Sequence, residues 1–79
     1  MKVIVRLIGS YRKLLPPDTQ GSKVEMHIPS GTSVAGLLAQ FDVPLTDDSV
    51  IVVNGLSVDW ETALVEGDEV SAFSAMAGG

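Results

Sequence analysis

A single helical stripe interrupts a chain that otherwise reads as short strands, and this limits what its 79 residues can fold into. Val34, Leu37, Leu38 and Phe41 fall at i, i+3, i+4 and i+7, an apolar ridge along one face of a helix. Thr32 or Ser33 stands ready to cap the first free N–H groups, although no Glu or Gln completes a capping box. Asp42-Val43-Pro44 ends the helix, since proline offers no N–H to continue it. One helix cannot build a bundle. It must cover one face of a sheet, because nothing else is available to bury that face.

The strands are marked by alternation. Val3, Val5 and Leu7 alternate with Lys2, Ile4, Arg6 and Ile8, the period of a first strand. The pattern breaks from Gly9 to Gly21, where Tyr11-Arg12-Lys13-Leu14-Leu15 runs into Pro16-Pro17, so any helical turn there stops early. A second strand is expected over Lys23–Ile28, with Val24, Met26 and Ile28 on one face. Val50–Val53 is a β-branched run followed by Asn54-Gly55, a strong hairpin signal because both residues tolerate positive φ. A short returning strand at Leu56–Val58 follows, then a predicted helical turn at Trp60–Leu64 and a tight turn at Glu66-Gly67-Asp68. The last strand is expected over Glu69–Ser74.

These elements predict an α+β domain over residues 1–74, a mixed sheet of four to five strands with one main helix on one face. Their order matches the ubiquitin-like β-grasp architecture. Residues 75–79, Ala75-Met76-Ala77-Gly78-Gly79, are small and are expected to form a flexible C-terminal tail.

Composition removes several kinds of chemistry. With no cysteine, disulfides, thiolate metal sites and side-chain thiol catalysis are excluded. That fits a reducing cytoplasm, the expected location, without requiring one. Ten acidic against five basic residues leave a net charge of −5, the wrong sign for tracking phosphates, so neither nucleic acid nor an anionic membrane is expected as a partner. A basic protein surface suits that charge better. The apolar runs are far too short to span a bilayer.

The segment Glu66-Gly67-Asp68-Glu69-Val70, then Phe73, then Ala77-Gly78-Gly79 resembles the end of the MoaD/ThiS family, the sulfur carriers of molybdopterin and thiamine biosynthesis. The Val50–Gly55 strand and turn and the helix start at Thr32–Leu38 fit the same family. The resemblance implies that an E1-like adenylyltransferase uses ATP to adenylate the terminal carboxylate of Gly79. A sulfur donor, such as a cysteine desulfurase or rhodanese-type protein, then displaces AMP and leaves a thiocarboxylate. No bound cofactor is implied, and the chain would be what an enzyme acts on rather than an enzyme. Gly78, Ala77, Met76 and Ala75 would thread into narrow active sites, where glycine permits close backbone approach without a Cβ clash.

Two features bear on the choice between the molybdopterin or tungstopterin branch and the thiamine branch, in opposite directions, with the balance toward the first. The long first loop, Ser10–Gly21, looks like the molybdopterin carriers, whose acceptor site belongs to the large subunit of molybdopterin synthase. Ser74-Ala75 departs from them, since prolines often follow the last strand there. Three other readings stay open: a thiamine-pathway carrier, a ubiquitin-like modifier conjugated to lysines, and a plain β-grasp interaction module.

No other constellation competes. His27 is the only histidine, too little for a zinc site, and reads as a polar strand residue. Asp47-Asp48 and Asp68-Glu69 read as solvated turn residues rather than a cation site. There is no triad and no phosphate-cradling glycine loop. If Val3, Val5 and Leu7 face the helix, Ile4 and Ile8 point to the other side of the sheet, and Ile51 or Val53 could join them, depending on register. That outer face, with Phe73 beside the tail, is the expected docking surface for the activating enzyme.

Overall fold

The computed structural model describes residues 1–75. Strand β1 (Lys2–Leu7) shows the alternation its sequence requires, with Val3, Val5 and Leu7 all at 0% exposure. It pairs antiparallel with β2 (Lys23–His27) on one side. On the other side it pairs parallel with β5 (Glu69–Ser74). Next to β5 lies β3 (Ser49–Val53), which turns at Asn54-Gly55 into the two-residue strand β4 (Leu56–Ser57). The sheet order is β2-β1-β5-β3-β4. The last strand therefore occupies the middle of the sheet, a mixed ubiquitin-like β-grasp arrangement.

Helix α1 (Val34–Ala39) lies between β2 and β3 in the chain and buries Val34, Leu37 and Leu38. Six residues are too few to hold a helix by propensity, so packing holds this one. Burying each of the two leucines contributes roughly 1.5–3 kcal/mol. Ser33 is the N-cap, its hydroxyl accepting from the Gly36 N–H at 3.1 Å. The helix is shorter than its stripe predicts. Phe41 falls just past it, yet is buried with Val43, because Asp42 at φ +60° bends the chain back over the core.

The predicted helical turn at Trp60–Leu64 is not there. The Thr62 and Trp60 carbonyls accept instead from Val34 and Ala35 N–H, at 2.9 and 3.0 Å, and Leu64 N–H donates to the Thr32 carbonyl at 3.0 Å. The segment caps α1 from outside, and carbonyls used that way are lost to a helix of their own. The first loop does hold a helical piece, a 3-10 helix at Gly9–Leu14, which tucks Tyr11 into the core before Leu15 and the two prolines. The expected tail, Met76 to Gly79, lies outside the described residues.

Candidate functional site

The end of β5 is tied to β3 and to the residue before it. Ser74 is in register with Ser49 of β3, and one residue on the Ala75 N–H donates to the Asp48 carbonyl at 2.6 Å. The Ser49 hydroxyl donates to the Pro44 carbonyl at 2.6 Å. Tyr11 Oη lies 2.5 Å from the same hydroxyl, and since serine has one proton to give, the phenol is the donor. The chain Tyr11–Ser49–Pro44 thus ties the 3-10 helix and the loop before β3 to the point where the polypeptide leaves the sheet. Asp47 and Asp48 are exposed there, as expected of turn residues.

The sheet has a covered inner face and an open outer one. Register places Ile4 and Arg6 of β1, Ser71 and Phe73 of β5, and Val50 and Val52 of β3 together on the outer face. All six are half-buried. Ile8 follows them: extended, 40% exposed, its N–H donating to the Ala72 carbonyl at 3.0 Å, one step beyond the Leu7–Ala72 pair and so beside Phe73. Ile4 and Ile8 therefore share the outer face, as their alternation predicts, and the register adds Phe73 to it.

Ile51 does not join them. It is 4% exposed and pairs with Ala72 on the inner face, within the core, and Val53, 8% exposed and paired with Val70, lies inside as well. The register of β3 against β5 decides this, and it turns Val50 and Val52 outward in place of Ile51. The β-branched run carries no polar residue to say which side faces water, so alternation alone could not choose.

Asp68 also departs from expectation. It is a buried acid, 7% exposed, rather than a solvated turn residue. Its carboxylate accepts from Asn54 Nδ2 and from the Val65 N–H, both at 2.9 Å. Glu69 lies on the outer face, 3.5 Å from the guanidinium of Arg6. His27 is exposed on β2, 3.7 Å from Glu25. Among the described residues no group of three or more His, Cys, Asp or Glu is placed to hold a metal ion. No helix among them is long and apolar enough to cross a membrane.

The site therefore consists of a hydrogen-bonded strand end beside a half-buried, largely apolar sheet face. Solved structures share this fold. Small archaeal modifier protein 1 of H. volcanii superposes with a TM-score of 0.76 at 16% identity, covering 95% of this chain and 98% of its own. A putative molybdopterin converting factor subunit 1 from Pyrococcus furiosus gives 0.73 at 24% identity, over 95% and 98% of the two chains. A chain from the complex of subunits 1 and 2 of the molybdopterin-converting factor of Helicobacter pylori gives 0.61 at 20% identity, over 100% of both. No curated protein matches significantly. The model of the ThiS family, however, matches residues 5–79, nearly the whole chain. The chain belongs to the ThiS family, small ubiquitin-like carrier proteins.

Proposed function

We propose that this protein carries sulfur on the terminal carboxylate of Gly79 and delivers it to cofactor biosynthesis, with molybdopterin or tungstopterin as the favoured product. The family match supports this reading most directly, because it runs through Gly78 and Gly79 to residue 79. The likeness to molybdopterin-converting-factor subunits from two organisms favours the pterin branch.

The chemistry asks little of the folded domain. A carboxylate in water is a poor acyl electrophile, so the E1-like adenylyltransferase first joins Gly79 to AMP, using ATP and releasing pyrophosphate. The terminal sulfur of a persulfide on a desulfurase or rhodanese-type donor then displaces AMP, and a second thiol cleaves the acyl disulfide so formed, releasing the thiocarboxylate and itself ending in a disulfide. ATP and such donors make the cytoplasm the compartment of this reading. The domain supplies a grip and a fixed origin for the tail. Four residues beyond Ala75 span at most about 14 Å when extended, so the outer face and Phe73 would dock close to the reacting group. In the pterin pathway the large synthase subunit would receive the same tail.

The test is intact mass spectrometry after incubation with the activating enzyme, ATP and a sulfur donor. A gain equal to replacing one oxygen by one sulfur, mapped to Gly79, is expected. No gain with an activating enzyme that works on a known carrier would count against the reading. The likeness to small archaeal modifier protein 1 favours a second reading, in which the activated carboxylate is conjugated to lysine amines. Isopeptide-linked Gly79 remnants on target proteins would reveal it.

A further inference from the structure

The charges of this protein are sorted by face. Of its five lysines and arginines, Lys2, Arg6 and Lys23 all point outward from the neighbouring strands β1 and β2. Only two of its ten carboxylates, Glu25 and Glu69, share that face. Three cations and two carboxylates give the outer sheet face a formal charge of +1, while two cations and eight carboxylates leave −6 on the rest. A net charge of −5 points to a basic partner, but it does not describe the outer sheet face.

Arg6 is the centre of that surface. It lies between Lys23 on β2 and Ser71 on β5, with Ile4 and Phe73 on the same face. Its guanidinium meets Glu69 at 3.5 Å through one terminal nitrogen, and the side chain is 35% exposed. Its Nε is buried and has no hydrogen-bond partner among the described residues. An unpaired buried donor is a cost carried by the free protein. Glu69 engages one terminal nitrogen only, and the flanking Lys23 adds a like charge, so the guanidinium has room for a further carboxylate. Arginine set among apolar and aromatic side chains is also the residue type that most often dominates a protein interface.

We infer that the outer sheet face docks an acidic protein surface, and that Arg6 is its polar anchor. The partner would present an aspartate or glutamate to the guanidinium while its apolar surround covers Ile4, Phe73 and Val50. A carboxylate takes up the guanidinium as a fork, which a lysine at position 6 cannot reproduce. The inference rests on the carrier reading, with the activating enzyme as the partner.

Two measurements on the full chain separate the inference from that reading. Calorimetric binding to the activating enzyme without ATP reports docking alone; thiocarboxylate formation with ATP and sulfur donor reports the carrier chemistry. Arg6→Gln is expected to weaken binding about tenfold, as befits an interface anchor. It should raise KM with little change in kcat and leave the melting temperature unlowered. Arg6→Lys should recover only part of the affinity. Lys13→Gln, which removes an exposed cation from the 3-10 helix, should change binding less than twofold. Binding by the wild type should weaken as salt rises, and binding by Arg6→Gln less steeply. Equal effects of Arg6→Gln and Lys13→Gln, or tighter binding on losing Arg6, would overturn the inference and leave the carrier reading standing. Arg6-dependent binding without thiocarboxylate would keep the docking and remove the carrier.

Discussion

Asn54 and Asp68 clasp two turns that lie fourteen residues apart in sequence. Asn54 Nδ2 donates to Asp68 Oδ1 and Asn54 Oδ1 accepts from the Glu69 N–H, each at 2.9 Å. Asn54 also sits at φ +52°, a conformation that few residues other than glycine accept. One side chain thus shapes the hairpin and locks it to the start of the central strand. Asp68→Ala leaves Asn54 Nδ2 and the Val65 N–H without their acceptor, at a cost of about 2–3 kcal/mol. A melting temperature lower by at least several degrees is expected in thermal unfolding, with thiocarboxylate formation unimpaired at temperatures where the variant stays folded.

Tyr11 anchors the strand end through a single hydroxyl. Tyr11→Phe keeps the buried ring and removes the donor to Ser49, so a loss of about 1 kcal/mol is expected in urea unfolding. An unchanged midpoint would show that the Tyr11–Ser49 hydrogen bond does not contribute to stability.

Ile51 and Phe73 should answer oppositely to truncation. Ile51→Ala opens a cavity in the core and should cost about 2–4 kcal/mol, with little effect on the KM for activation while folded. Phe73→Ala leaves the core filled and loses a cross-strand contact with Val50 worth roughly 0.2–1 kcal/mol, yet it should raise KM severalfold. Parallel denaturation and steady-state activation measurements check both. A KM unchanged by Phe73→Ala would remove that residue from the docking surface.

Deletion of Gly79 tests the reacting group itself. The mass gain should vanish, with thermal unfolding of the variant measured alongside to confirm that the domain is folded. Retained sulfur uptake would move the acceptor group elsewhere in the chain.

Much of this could be read from the sequence because it is local. The alternation of Val3, Val5 and Leu7, the ridge of Val34, Leu37 and Leu38 and the Asn54-Gly55 turn depend only on near neighbours, which fix periodicity and the sign of φ. The resemblance at the chain end was likewise visible without coordinates, and the family match extends over it. What the sequence could not carry were relations between segments far apart in the chain. The outward turn of Val50 and Val52 needed the β3–β5 register. Asp68 is buried because Asn54, fourteen residues away, meets it. Trp60–Leu64 became a cap because the free N–H groups of α1 claim its carbonyls. Arg6 looked like an ordinary polar position on an alternating strand until pairing set Lys23 and Ser71 on either side of it. Local geometry is set by bonds to adjacent residues. A side chain's surroundings are set by which distant backbone the sheet brings within 5 Å, and that only the tertiary structure decided.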